Sequence, residues 1–396
     1  MDAIGTFQRQ LWDQSRRVNH RTPISRETEQ AYFATPRHLF VPRYREWGSR
    51  AWHHVNPDNL EQHLAALYAD RPLVLFGDDD DDLLSTVSQP SFVLRMLDLL
   101  NPRPGQAVFE LGTGSGWNGA LLGHLVGPEG RVVSVDILHD VATTAAETIE
   151  RLGITNVTVV EGDGGEGYPA AAPYDRAIFT AGTYDLPRAF YDQLKEGALL
   201  LSVIKIEGGG DGLFLLRKTA DHFESIHSMT CAFVQLRGRY QIEGLEPIRV
   251  ETLPEWTTLQ HREVSRTPFW WGGTGPEWFA WGTLGIRFFL AIAEPAFRAF
   301  RTKPADDRAP AEVYFGLWNA ARESLVLAKD DRLITYGNHE ARERLLERVR
   351  QWVELGMPTA ASFRLQVFPS DVHVTDADHQ WTVKRRESQF VWSLDT

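Results

Sequence analysis

A chain of 396 residues with 43% hydrophobic and 24% charged side chains has the make-up of a soluble globular protein and the length of two domains. Its formal net charge of −12 speaks against a general nucleic-acid binder, which presents a basic face, and suits a partner or peptide carrying positive charge. The single cysteine, Cys231, excludes an intramolecular disulfide and a thiolate zinc cluster. No stretch has the apolar length of a signal core or a membrane span, so a protein of the reducing cytoplasm, with no membrane partner, is expected.

Residues up to about Arg71 are polar and read as mostly helical, with a short helix from Arg26 to Ala34 that Pro36 ends. Five consecutive acids, Asp78 to Asp82, repel one another and belong in a solvated loop. From Pro90 to about Leu236 short apolar runs alternate with helical stretches. Strands are predicted over Gln106 to Leu111, Arg131 to Ile137, Asn156 to Asp163, Tyr174 to Ala181 and Ala198 to Ile204. Helices are predicted after the first strand, over Val141 to Leu152 and over Leu186 to Leu194. This alternation implies a parallel sheet with helices on both faces, an α/β, doubly wound, Rossmann-like architecture. Glu207 to Gly212 reads as a hairpin tip feeding the strand Leu213 to Lys218.

After about Tyr240 the composition shifts, and nine of the thirteen tryptophans lie there. One amphipathic helix is clear, from about Glu340 to Leu355, with Leu345, Val349, Trp352 and Val353 on one face, Asn338 as cap and Gly356 with Pro358 as stop. Leu325 to Tyr336 and Phe363 to Phe368 read as strands. The expected organisation is a first domain over 1–240 and an additional α+β C-terminal domain over 241–396.

The strongest local signal is VFELGTGSGWNGALL, Val108 to Leu122. A strand ends in Glu110, and a glycine turn then leads into a helix. Glycines let a ligand approach the backbone at the carboxyl edge of the sheet, where open α/β sheets bind their ligands. A second strand ends in Asp136, whose carboxylate can take both hydroxyls of a ribose, and a third in Asp163, which can accept from an adenine amino group. Glu110 before the turn suits a cation better than a pyrophosphate. Singly, such acids cap helices or end strands; three at successive strand ends point to a cationic nucleoside, and S-adenosylmethionine is one.

With these residues stand LYADRPLVLFG, STVSQPSFVLRMLDLL, EGDGGEGY, APYDRAIFTA, DQLKEGALL and AFVQLRG. Together they resemble the protein-L-isoaspartate O-methyltransferase family from about Ile24 to about Gly238. The resemblance implies a methyltransferase sheet, S-adenosylmethionine as cofactor and a peptide acceptor. It implies that Thr86, Val87, Ser88 and Gln89 form the loop over the methyl group, with Ser88 orienting the acceptor carboxylate. It also implies that Gly112, Thr113 and Gly114 lie at the methionine part, Asp136 and Ile137 at the ribose, and Asp163 and Gly164 at the adenine. The sequence departs from the family in the acidic run, in Trp117 where tyrosine is usual, in Gln235 where proline is common, and in more than 150 residues beyond Gly238.

That extension resembles the one on enzymes of modified, lanthipeptide-type peptides. The leading expectation is therefore methylation of an aspartate in such a peptide, in macrocyclic form, the ester then closing to aspartimide and opening to isoaspartate. The alternatives are repair methylation of isoaspartate in proteins at large, and a non-catalytic peptide-binding adaptor that keeps the fold. An aspartate is already ionised at neutral pH, so alignment and exclusion of water rather than a general base carry the chemistry.

Asp371, His373, Asp376, Asp378 and His379 could hold a divalent metal, but with no fixed ligand spacing a polar loop is the preferred reading, and no metal is expected. His53 and His54 read as surface residues. Trp270, Trp271, Trp278 and Trp281 read as core or domain seam before they read as a peptide-binding surface.

Overall fold

The computed structural model describes residues 3–77, 83–207, 210–242, 247–269, 276–301, 313–329 and 331–394. The acidic run at 78–82, the centre of the hairpin tip at 208–209, and Trp270 and Trp271 lie outside the described residues, as do the side chains of Trp278 and Trp281. The chain divides into two compact units. The first comprises Met1–Val203, Leu213–His227 and Phe233–Gln241, and the second Ile204–Gly212, Ser228–Ala232 and Ile242–Thr396.

The first unit opens with α1 (Ala3–Val18) and α2 (Arg26–Ala34). Ser25 caps α2 by accepting from Thr28 N at 3.3 Å, which satisfies one of the amides a helix start leaves open. The expectation of a mostly helical start is then corrected. Strands β1 (Arg43–Glu46), β2 (Trp52–His54), β3 (Leu73–Gly77) and β4 (Leu83–Val87) form an antiparallel sheet in the order β2-β1-β3-β4, with α3 (Leu60–Leu67) between β2 and β3 in the chain. These strands are three to five residues long. In β1 the adjacent Tyr44 and Arg45 are both buried, so no alternation of period two marks it.

The main sheet follows α4 (Pro90–Leu100). Strands β5 (Ala107–Leu111), β6 (Arg131–Asp136), β7 (Val157–Glu161) and β8 (Tyr174–Thr183) pair in parallel in the order β7-β6-β5-β8. Helices α5 (Trp117–Val126) and α6 (His139–Arg151) connect them. Every residue of β5 is buried, as a central parallel strand covered on both faces requires. The helix expected from Leu186 is only α7 (Ala189–Gln193); Pro187 keeps Leu186 out of helical backbone. The last strands are correspondingly long: β9 (Leu194–Ile206), β10 (Gly210–Lys218) and β11 (Phe223–Cys231), lying in the order β11-β10-β9-β8. The first unit is thus an α/β fold with a mixed central sheet.

In the second unit α8 (Trp256–Leu259) and α9 (Pro276–Ala293) accompany a five-stranded antiparallel sheet. Its strands are β12 (Glu263–Pro268), β13 (Phe297–Arg301), β14 (Val313–Asn319), β15 (Ser324–Lys329) and β16 (Arg332–Tyr336), ordered β12-β16-β15-β14-β13. The single stretch expected from Leu325 to Tyr336 is a hairpin of two strands, turning at Asp331 with φ 56°. Helix α10 (Glu340–Glu354) packs on β14 and β15. It buries Ala341, Leu345 and Trp352, whereas Val353 is 51% exposed and off the expected face. The N-cap is His339 rather than the expected Asn338; Asn338, one residue earlier, accepts from Glu340 N at 2.9 Å through its Oδ1. Antiparallel strands β17 (Phe363–Pro369), β18 (Gln380–Lys384) and β19 (Ser388–Leu394) end the chain, and the acid- and histidine-containing stretch 371–379 is the exposed loop between β17 and β18. Among the described residues no three metal-ligating side chains cluster, and no helix is long and apolar enough to cross a membrane.

Candidate functional site

A cavity in the first unit opens at the carboxyl ends of β5, β6 and β8, where the strand connections diverge. Its floor is the turn after β5. Gly112, Gly114 and Gly116 have φ of 90°, 54° and 80°, a region that L side chains rarely adopt. At Gly112 a Cβ would also collide with Thr180 Oγ1, so glycine is required there twice over. Gly112 N donates to Val135 O at 2.8 Å, and Thr180 Oγ1 donates to Gly112 O at 2.6 Å. The turn is therefore held from both neighbouring strands.

Asp136, at the end of β6, lines this cavity and is 9% exposed. Its Oδ2 accepts from Gly114 N at 3.2 Å and its Oδ1 from Leu138 N at 3.1 Å. Burial pushes its carboxyl pKa up, and these backbone donors oppose the shift. Both oxygens keep lone pairs for a further donor. Ile137, Gly164, Thr86, Val87, Ser88, Gly112, Thr113 and Gly114 also line the cavity. Of the residues expected at the site, these nine come together.

Three do not. Glu110 is fully buried beneath the floor. It lies opposite Ser134 in the parallel register of β5 and β6, so its side chain shares Ser134's face of the sheet, the face covered by α5. Ser134 Oγ donates to Glu110 Oε2 at 2.5 Å and Asn118 Nδ2 to Oε1 at 2.6 Å. Burial pushes its pKa up to about 7 against those two hydrogen bonds, and nearby Asp136 adds to the rise. The expectation that Glu110 faces a cationic ligand is corrected: it anchors Asn118 and Ser134, and Asn118 is the one that reaches the cavity.

Asp163 is likewise absent from the lining. It caps the turn at Gly164–Glu166, accepting from Gly165 N at 2.9 Å, and its other oxygen accepts from Arg239 N at 2.7 Å. Gln89, the third, turns away from the cavity and donates to Asp70 Oδ2 at 3.1 Å and Ser91 Oγ at 3.2 Å. Asp70 also accepts from Ser91 N at 2.8 Å, at the start of α4.

Ser88 sits between the end of β4 and α4, and its hydroxyl has no hydrogen-bond partner among the described residues. The backbone beneath it is held by a residue that the sequence did not flag. Arg37 is fully buried and donates to Ser88 O at 3.2 Å, Val87 O at 3.4 Å, Leu67 O at 2.7 Å, Ala69 O at 3.3 Å and Arg71 O at 3.2 Å. Burial lowers its pKa to about 10, so it stays charged at neutral pH. Its guanidinium lies 5.7 Å from the ring of Trp117, which walls the cavity and donates from Nε1 to Thr35 O at 2.9 Å. Thr180, Asn118, Phe233 and Arg237 also line the cavity without having been singled out. Thr180 lies near the carboxyl end of β8, beside the glycine turn, and that position was the available signal. Arg37 and Arg237 carried none: Arg37 meets carbonyls 30 to 51 residues away, and Arg237 reaches the cavity wall only through the fold.

Residues 15–241 match the family model described as protein-L-isoaspartate(D-aspartate) O-methyltransferase. A protein-L-isoaspartate O-methyltransferase of Ignicoccus hospitalis is 36% identical over 211 residues, 53% of this chain and 89% of that one. Protein-L-isoaspartate O-methyltransferase 2 of Archaeoglobus fulgidus is 31% identical over 237 residues, 59% of this chain and 94% of that one. A solved structure named protein-L-isoaspartate O-methyltransferase shares the fold at a TM-score of 0.53 and 22% identity, covering 91% of this chain and 96% of its own. The chain belongs to the protein-L-isoaspartate O-methyltransferase family and is an S-adenosylmethionine-dependent carboxyl methyltransferase.

Proposed function

We propose that this enzyme methylates the free carboxylate of an isoaspartyl or aspartyl residue in a peptide or protein, with the isoaspartyl acceptor as the primary substrate. The observation that carries the reading is the unengaged Ser88 hydroxyl in the same cavity as the glycine turn and Asp136. The lining fits the cofactor. Glycine backbone at Gly112 and Gly114 accepts a close ligand, Asp136 has acceptor capacity for ribose hydroxyls with Ile137 beside it, and no phosphate-binding lysine is present among the lining residues. Gly164 bounds the adenine end, which Asp163 shapes by holding Gly165 N and Arg239 N. S-adenosylmethionine supplies a methyl group on a cationic sulfur.

This chain's own residues bind, orient and exclude water. The acceptor carboxylate is ionised at neutral pH, so no base is needed. Ser88 donates to one of its oxygens and leaves the other free to attack. Val87, Val93, Met96 and Phe233 line the acceptor side and keep it dry. Thr86 and Val87 set the height of Ser88 over the floor, and Gln89 fixes the start of α4.

A second reading is methylation of an aspartate in a ribosomally made, lanthipeptide-like peptide, the ester then closing to aspartimide. The residues beyond 241, outside the family match, favour it. Mass spectrometry after incubation with the cofactor decides between the two. A methyl ester on linear isoaspartyl peptides supports the first reading. Esterification confined to a macrocyclic aspartyl peptide, or its later loss of methanol, supports the second. No gain of a methyl group on either would overturn both.

A further inference from the structure

We infer that Arg237 is the cation that receives the substrate's carboxylate, an inference that rests on the carboxyl acceptor proposed above. The segment from Phe233 to Arg237 forms one rim of the cavity and is clamped on both sides. Gly182 N donates to Val234 O at 2.7 Å and Leu236 N to Gly182 O at 2.8 Å, which ties it to the end of β8. Arg239 N donates to Asp163 Oδ2 at 2.7 Å, which ties it beyond β7. Arg237 lies between these clamps in extended backbone, φ −98° and ψ 175°.

Its side chain makes no hydrogen bond or ion pair with any described residue. Arg239, two residues on, is already engaged with Glu166 at 3.8 Å and with the ring of Tyr240. Among the described residues lining the cavity, the charged side chains are Asp136 and Arg237, and Asp136 accepts two backbone amides. Arg237 is thus the cavity's available cation. A guanidinium presents a planar fork that matches the two oxygens of a carboxylate, and a half-buried site strengthens that pairing relative to open water.

The acceptor is such a carboxylate. In this reading Ser88 meets it from the β4–α4 connection and Arg237 from the rim formed by Phe233 to Arg237. The pairing stabilises the anion before methyl transfer and is lost as the neutral ester forms, so Arg237 contributes to binding and to release more than to the rate of the chemical step. It also selects against an amide at the acceptor position, since asparagine offers no charge. The cofactor's own carboxylate is the competing anion, and the reading above assigns it to the Gly112–Gly114 end.

The full-length variants Arg237→Met and Arg237→Lys separate these cases. Calorimetry measures S-adenosylmethionine affinity, and steady-state kinetics measure kcat and KM on an isoaspartyl peptide that the wild type esterifies. Arg237→Met is expected to raise the peptide KM roughly 10- to 100-fold, the range for a hydrogen-bonded charge, with kcat and cofactor affinity retained. Arg237→Lys is expected to restore part of the loss. The wild-type KM is expected to rise with ionic strength more steeply than that of Arg237→Met. An unchanged KM in Arg237→Met overturns the inference alone. Weaker cofactor binding with an unchanged KM moves the guanidinium onto the cofactor and also overturns it. A wild type that esterifies no carboxyl peptide overturns the proposed function together with it.

Discussion

Asp136 ends β6, whereas Glu110 is one residue short of the end of the neighbouring β5, level with Ser134, and the sheet sends Glu110 under the floor and Asp136 onto the cavity. For Asp136, Asp136→Ala is expected to weaken S-adenosylmethionine binding by about 1.5–3 kcal/mol, the range for a charge-assisted hydrogen bond. Calorimetry on the folded variant checks this, and unchanged affinity would place the ribose elsewhere. Ser88→Ala is expected to lower turnover at saturating substrate by roughly 10-fold while leaving cofactor affinity alone. Wild-type turnover would reduce Ser88 to a turn residue. Glu110 makes a separate prediction about pH. Its folded pKa of about 7 lies above the ordinary 4.5, so between these values the folded state holds the proton more tightly than the unfolded chain does. Its contribution to stability is therefore greatest below 4.5, falls as pH rises to about 7 and is flat above. Glu110→Gln keeps a neutral amide against Asn118 and Ser134 and is expected to remove this component of the Tm-versus-pH slope. If the slope is identical in the variant, another group titrates.

At the level of elements, the β4–α4 connection is held by the buried Arg37 and the half-buried Asp70. Arg37 gathers five carbonyls, and Asp70 takes the amide of Ser91 and the side chain of Gln89. Arg37→Met leaves those carbonyls buried without a donor. A loss of roughly 3 kcal/mol or more is expected, since each unsatisfied buried group costs about 1–3 kcal/mol. Denaturant unfolding reads the change, and a shift under about 1 kcal/mol would mean that water replaces the guanidinium. In the second unit, Leu345 of α10 is fully buried against the sheet. Leu345→Ala is expected to cost about 2–5 kcal/mol, whereas Val353→Ala, at a position 51% exposed, is expected to be near neutral. Equal effects of the two would place the packed face of α10 elsewhere.

For the whole molecule, the family match ends at 241 and the chain beyond it, Ile242–Thr396, belongs to the second unit. A likeness in fold that covers 91% of the chain reaches past that limit. The second unit's tryptophans are partly accounted for as core. Trp352 and Trp392 are buried, and Trp392 packs edge-on to Phe288 at 5.1 Å. A specialised enzyme would still methylate a cyclised aspartyl peptide much faster than its linear form, because a preorganised ligand loses less entropy on binding. Comparable rates on linear isoaspartyl peptides would exclude that specialisation.

The amino-acid sequence by itself determined the α/β class, the five strands of the main sheet and the position of the cofactor turn. Those strands are continuous apolar runs, and the turn needs glycine wherever φ is positive, so both leave local marks. It also singled out Asp136 and Ser88, whose roles depend on their places at a strand end and beside α4. Tertiary structure alone decided that Glu110 and Asp163 are spent on internal hydrogen bonds: Glu110 lies level with Ser134 on the face that α5 covers, and Asp163 caps the turn after β7 and takes the amide of Arg239 from far along the chain. It alone made a four-stranded sheet of the N-terminal segment, whose short strands show no period of their own. And it alone brought Arg37 under Ser88 and Arg237 to the cavity rim. Each meets its partners across a long separation in the chain, and burial and charge become informative only once the fold has closed that distance.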